Sequence, residues 1–389
     1  MSRRTAIYLD SNSGAPLSPR AVEALLSFST DPLIPNPSSI HSHGQRAKRW
    51  MANSREQVAL SLGSNDPERV LFTSSGTEAN QLAIFSELEA RITRGEKPHW
   101  ITTSVEHESV RQMAEWAVER GVKVSFLPVD SKGLVDPAEL EAMFKPETAL
   151  LSLIWVNNET GVIQNLQDLA ARARSRGVSL HVDGAQAWGK LPIAVNDLGC
   201  HWFCVSGHKI GAPAGIGAVW SARGTRVSPL IRGAQEKGRR GGTENLLGVK
   251  TLGAAASALD PIAWATRVEG LRDRLENAIC DRIPGTRIQG KGAPRVANTT
   301  NLRFDGVVGE GLVLALDLAG YSISAGAACS SGATDPSHVL LAMGASKEEA
   351  SSAIRVSLAD EMPWDVLAGF IDALDAAVSR ARLARRLQE

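Results

Sequence analysis

The sequence predicts an α/β protein. A large doubly wound sheet, mixed but mainly parallel, is expected in residues 15–260, with a smaller α+β domain built from residues 1–14 and 261–389. Three observations predict this. Short apolar runs alternate with longer stretches of helical periodicity, each short run ends in a small or polar turn, and the alternation stops near residue 261.

Taken in order, "RVLFTS" precedes the helical "TEANQLAIFSELEARI", "HWITTS" precedes "ESVRQMAEWAVERG", and "TALLSLIWV" precedes "LQDLAARARSRG". Two further strands follow in "VSLHVDGA" and "FCVSGHK". Ligands of such sheets bind beyond the strand ends. The later region reads as a helix over "PIAWATRVEGLRDRLENAICDRI", short strands in "NTTNLRF" and "YSISA", and a last helix from "WDVLAGF" onward. The arginines of its tail "SRARLARRLQE" suit the solvated face and C-terminal end of that helix.

At 389 residues the chain can bury two cores, and a 43% hydrophobic content excludes a disordered chain. Lysine and arginine number 42, as do aspartate and glutamate, so bulk attraction to nucleic acid or an anionic membrane is not expected. "MSRRTAIYLDSNSG" has no apolar leader core, and a cytoplasmic location is expected. The four cysteines, Cys200, Cys204, Cys280 and Cys329, then stay reduced, each serving as filler or as chemistry.

The turn "TSSGTEANQ" follows a strand and opens a helix, so backbone N–H groups at Ser75, Gly76 and Thr77 form an anion seat. It matches neither dinucleotide nor nucleoside-triphosphate fingerprint. Asp183 ends the strand of "SLHVDGAQ", and Ser206, His208 and Lys209 end that of "FCVSGHKIGAP". A lysine at the end of an apolar strand loses hydration and becomes a nucleophilic amine. Pyridoxal phosphate needs such an amine, a phosphate seat, a carboxylate for its pyridine nitrogen and a flat group over its ring. Asp183 and His107 are the candidates for the last two. Each alone is an ordinary surface, turn or loop residue, and it is their occurrence at successive strand ends that points to the cofactor. No metal is expected: Cys200, Cys204 and His208 would share one strand face but spread over roughly 26 Å at about 3.3 Å per residue.

With these residues assembled, the chain resembles the pyridoxal-phosphate-dependent cysteine desulfurases of the nitrogen-fixation and iron–sulfur-cluster type, in the class V aminotransferase group of PLP fold type I. The resemblance runs through "YLDSNSGAPLSPRA", "NPSSIHSHGQRAK", "TSSGTEANQLA", "EHESV", "VNNETGVIQ", "HVDGAQAWGKLPI", "SGHKIGAPAGIGA", "RRGGTENLLG", "CSSGATDPSHVLLAMG" and "SAIRVSL". It implies that Lys209 carries the cofactor, that Gly76, Thr77, Ser206 and His208 hold its phosphate, and that His107 stacks on its ring. It implies that Asp183 pairs with the pyridine nitrogen and that Asn158 and Gln186 bind the ring's oxygen side, Asn158 also facing the substrate. Arg355 would grip the substrate carboxylate. Thr243 would reach the phosphate of a neighbouring subunit, which implies a homodimer with shared active sites.

The resemblance also explains why Cys329 stands in "SISAGAACSSGATDPSHVL". Cys329 would take the sulfur of L-cysteine as a persulfide, release L-alanine, and pass the sulfur to an iron–sulfur scaffold or tRNA-thiolation protein. Gly326, Ala327, Ala328, Ser330, Ser331 and Gly332 are small enough to let one thiol visit two positions. The loop resembles the longer kind, which works by itself and serves several acceptors.

The sequence departs from the family at "LDSNSGAP", at Ala214, at "RGAQE" and at "SAGAAC". The first departure keeps a second reading open, a pyridoxal lyase for selenocysteine or a cysteine conjugate. A non-catalytic scaffold is disfavoured by the joint presence of Lys209, Asp183, His107 and Cys329.

Overall fold

The computed structural model describes residues 6–325 and 335–387. In chain order its strands are β1 (Ile7–Tyr8), β2 (Val70–Thr73), β3 (His99–Thr103), β4 (Lys123–Leu127), β5 (Thr148–Ile154), β6 (Ser179–Asp183), β7 (Trp202–Ser206), β8 (Gly217–Ser221), β9 (Thr286–Ile288), β10 (Thr299–Phe304), β11 (Tyr321–Ser322), β12 (Ser324–Ala325) and β13 (Ala353–Ser357).

Seven strands form the large sheet in the order β2-β8-β7-β6-β5-β3-β4. All run parallel except β8, which lies antiparallel between β2 and β7. The pleat sends alternate residues to opposite faces. Val70, Phe72, Ile101, Leu151, Phe203 and Val205 enter one core, whereas Leu71, Trp100, Leu150, Trp202 and Cys204 pack under helices on the other side. Both faces are therefore dry, which is why β2, β3, β5 and β7 are buried at every position.

The cysteine pair is corrected here. Among Cys200, Cys204 and His208 only Cys204 lies within β7: Cys200 precedes the strand and His208 follows it in a short 3-10 turn. The two thiols enter cores on opposite faces, because the chain bends between residues 200 and 202.

A second sheet, β12-β13-β10-β9, is antiparallel, and β1 pairs with β11. A separate core joins Leu302, Phe304, Ile354 and Val356 to Leu275 and Ile279 of helix Pro261–Arg282, to Phe370 and Leu374 of helix Trp364–Arg386, and to Leu9 from the N-terminal segment. No single helix among the described residues is long and apolar enough to cross a membrane.

Parallel strand order has one consequence for chemistry. β2, β3, β5, β6 and β7 all end at the same edge of the sheet, so residues far apart in sequence meet there.

Candidate active site

At the β2 end, Ser75 caps helix Gly76–Thr93, its side chain accepting from Glu78 N at 3.1 Å. Close approach dictates the glycine that follows. A Cβ on Gly76 would lie 2.9 Å from Ser206 Cβ at the β7 end, and one on Gly217 would lie 2.6 Å from the Ser75 carbonyl carbon. This packing leaves room for backbone alone and brings the helix N-terminus against Ser206. Ser206 Oγ in turn lies 3.0 Å from His208 Nδ1. Burial, with Lys209 and His107 nearby, lowers His208 to about 4, so it is neutral at physiological pH and offers hydrogen bonds rather than charge. Thr77 is exposed beside it. Arg240 binds Glu78 through Nε and Nη2 at 2.8 and 3.2 Å, which ties the segment carrying exposed Thr243 to the same turn.

At the β6 end, Asp183 is buried and accepts from Ala185 N at 2.9 Å and from Asn80 Nδ2 at 2.7 Å, but it forms no ion pair among the described residues. Asn80 extends the network. Its Oδ1 receives His181 Nε2 at 3.1 Å, and its Nδ2 also reaches Ser109 Oγ at 2.9 Å. Burial drives His181 to about 4, which keeps that imidazole neutral. Ser109 continues to His107, whose Nδ1 accepts from Ser109 N at 3.1 Å and lies 2.9 Å from its hydroxyl. His107 is thereby fixed as the cap of helix Glu108–Val118. Asn80, Ser109 and His181 were not singled out in the sequence, where nothing local marks them as partners of Asp183 or His107.

At the β7 end, Lys209 Nζ donates to Asn12 O at 2.6 Å and to Ser13 O at 3.1 Å. Gln186 Nε2 donates to the same Asn12 carbonyl at 2.9 Å. Asn158 enters through its backbone oxygen, which receives Asn12 Nδ2 at 3.2 Å and Arg355 Nη1 at 2.9 Å. Arg355, on β13, donates from Nη2 to Asp10 Oδ1 and Ser13 Oγ, both at 2.7 Å, while its buried Nε has no hydrogen-bond partner among the described residues. The site thus lies where the N-terminal segment and second sheet meet the edge of the first.

Cys329, with Gly326, Ala327, Ala328, Ser330, Ser331 and Gly332, lies outside the described residues. The chain beyond it is anchored: Ser337 Oγ donates to Glu159 Oε2 at 2.5 Å, and His338 Nε2 meets Glu106 O at 2.9 Å. Of the three described thiols, burial pushes Cys200 up to about 12, Cys204 well above its ordinary range, and Cys280 upward. None is disposed to form a thiolate.

Two buried acids support this edge. Glu106 Oε1 accepts from Thr103 Oγ1 at 2.8 Å and Ile154 N at 2.9 Å, and burial raises the carboxyl to about 8. Burial likewise raises Glu159 to about 7, against the opposing Ser337 hydrogen bond and the Arg355 charge. A raised folded pKa gives stability that is full below the unfolded value of 4.5 and is lost as pH rises through the folded value. Glu106→Gln keeps the shape and cannot ionise. It is therefore expected to unfold like the parent at pH 5 and to gain stability over it toward pH 8, by at most about 1.4 kcal/mol per pH unit. Thermal unfolding of both proteins at the two pH values checks this; an equal difference at both would exclude it.

These features fit pyridoxal phosphate. The turn at Gly76 offers helix N–H groups to a phosphate, and Asp183 is a buried carboxyl group with no cation paired to it among the described residues. Burial of a lone carboxylate costs several kcal/mol, and a protonated ring nitrogen would offset that cost. Lys209 presents a primary amine at the same edge. Fold and site together define a pyridoxal-phosphate-dependent enzyme.

The chain belongs to the class-V aminotransferase family, whose model matches residues 7–364. Cysteine desulfurases are among its curated relatives. It is 41% identical over 356 residues to "Cysteine desulfurase 2" of Trichormus variabilis, covering 91% of this chain and 88% of the relative. It is 38% identical over 355 residues to "Cysteine desulfurase NifS" of Azotobacter vinelandii, covering 90% and 87%. A solved "NifS-like protein" superposes with a TM-score of 0.89 at 29% identity, over 96% of this chain and 100% of that one.

Proposed function

We propose that the chain converts L-cysteine to L-alanine and carries the sulfur on Cys329 as a persulfide. The observation that carries this reading is the convergence of Lys209, the buried carboxyl group of Asp183 and the Gly76 turn at one sheet edge.

Lys209 would hold the cofactor. Gly76, Thr77, Ser206 and the neutral His208 would bind its phosphate, Asp183 its ring nitrogen, Gln186 and Asn158 its oxygen side, and His107 its ring face. When bound, pyridoxal phosphate supplies an electron sink for the pair left as the α-proton departs. Lys209, once free, takes that proton at Nζ. Arg355, held by Asn158 O, Asp10 and Ser13 at the same edge, would receive the substrate carboxylate through its guanidinium. The Cys329 thiolate then attacks the substrate sulfur: an S–S bond forms as the Cβ–S bond breaks, the electron pair of that bond stays with carbon, and protonation at Cβ yields alanine. L-cysteine and one thiol become L-alanine and one persulfide, so no outside oxidant or reductant enters.

The acceptor proposed for the persulfide is an iron–sulfur scaffold or tRNA-thiolation protein, in the cytoplasm. The units 15–260 and 1–14 with 261–389 are proposed as the two domains. A homodimer in which Thr243 completes the partner's phosphate seat is supported by exposed Leu26, on the helix Pro19–Thr30 that packs against the helix Leu246–Ser257 following Thr243, and by exposed Leu33, Ile34 and Ile40 in the segment after it. A second reading, selenocysteine or a cysteine conjugate as substrate, has one observation behind it: Ser13, in the departing run "LDSNSGAP", contacts Arg355.

The test is alanine release by cofactor-loaded protein from L-cysteine and, separately, from L-selenocysteine. Faster turnover of L-cysteine, with one persulfide per chain after a single turnover, is expected; release from L-selenocysteine alone supports the second reading. The same preparation is expected to scatter light as a particle of about twice 41.4 kDa, and a monomer would exclude the shared site.

A further inference from the structure

Lys190, in "AWGKLPI", is a buried lysine that the proposed chemistry leaves unused. Its Nζ donates to Asn12 Oδ1 at 2.6 Å and to Gln186 Oε1 at 2.5 Å. No carboxylate pairs with it among the described residues, and the charges that face it, Lys209 and Arg355, are both cationic. Burial and those two cations lower it well below the ordinary lysine range. A methionine would fill the same volume without desolvating an amine, so the cost of an amine here calls for a role.

Asn12 is the object of that role. Its Nδ2 donates to Thr299 Oγ1 at 2.9 Å and to Asn158 O, its N donates to Ser357 Oγ at 3.0 Å, and its Oδ1 receives Asn298 Nδ2 at 3.3 Å besides Lys190. These bonds join β10 and β13 of the second sheet to the segments that follow β5 and β6 of the first. The Asn12 carbonyl is where Lys209 Nζ and Gln186 Nε2 converge. Because that carbonyl can only accept, Gln186 must turn Nε2 toward it and Oε1 toward Lys190. An amine with two N–H groups satisfies both amide oxygens.

We infer that Lys190 is a positioning residue: by holding the Asn12 and Gln186 amides at once, it fixes the carbonyl that receives Lys209 and the orientation of the amide beside it. Lys190 touches neither reacting atom and acts through Asn12 and Gln186. The inference rests on the proposed attachment of the cofactor to Lys209.

The experiment compares the parent, Lys190→Met and Lys190→Arg as cofactor-loaded proteins, by pH titration of the visible absorption band and by kcat and KM for alanine release. With Lys190→Met the band midpoint is expected to move by about one pH unit, a tenfold change in proton affinity. We also expect kcat to fall about tenfold while KM changes less than about threefold, the pattern of lost positioning rather than lost binding. Lys190→Arg, which keeps N–H donors, should fall between. A midpoint and kcat unchanged in folded Lys190→Met would overturn the inference. Should that variant not fold, Lys190→Arg decides: its longer, planar head displaces the donors, so a shifted midpoint supports positioning and an unshifted one overturns it. Failure of the underlying reading looks different, because the parent itself would then show no band that depends on Lys209.

Discussion

Lys209→Ala is expected to lower alanine formation by about a thousandfold or more, and to abolish covalent retention of the cofactor after borohydride reduction. Two losses combine. The amine is the attachment point, and once displaced it is the base that takes the α-proton, a task that alone contributes about two to four powers of ten. Its place cannot be filled easily. Lys190 is the nearby amine, but its Nζ is committed to Asn12 Oδ1 and Gln186 Oε1. Methylamine supplied in the buffer should restore part of the rate, since a free amine can act as base in the space vacated. Mass spectrometry of the reduced protein and alanine assays check both effects. Activity within tenfold of the parent would show that another group takes the proton.

The second large effect falls on sulfur. Cys329→Ser is expected to keep the absorption band and cofactor affinity while persulfide disappears and alanine release from L-cysteine falls at least about a hundredfold. A hydroxyl remains protonated near pH 7 and cannot replace a thiolate as sulfur acceptor. The remaining cysteines offer no substitute: Cys200 and Cys204 are buried on opposite faces of the sheet, both pushed toward the thiol form, and Cys280 is displaced in the same direction. Cleavage of L-selenocysteine has no such need of a protein thiol and should survive the substitution. If L-cysteine still gave alanine at the parental rate, the sulfur would be leaving without Cys329, and the persulfide relay would fall.

Much of the site was legible because its parts are local. "TSSGTEANQ" announces a strand, a turn and a capped helix within a few residues, and Gly76 is then required by the 2.9 Å approach to Ser206. Asp183 and Ser206 close strands that short apolar runs mark plainly, and Lys209 follows in the turn after the second. The support beneath them was not legible. Asn80 meets Asp183 across 103 positions and Asn12 meets Lys190 across 178, and neither pair leaves any periodicity in the chain. Lys190 in "AWGKLPI" looks like a loop lysine until it is seen buried. The insertion of β8 against the direction of its neighbours likewise depends on pairing with β2 and β7.

The sequence by itself therefore determined β2, β3, β5, β6 and β7, the turns that follow them and the reactive groups, since propensity, capping and apolar alternation act over a few residues. Tertiary structure alone decided which groups became neighbours. It made His208 and His181 neutral, left Asp183 without an ion pair among the described residues and set Lys190 against two amide oxygens. The physical reason is that desolvation and hydrogen-bond partnership belong to a place in the folded molecule, where segments from both ends of the chain exclude water together.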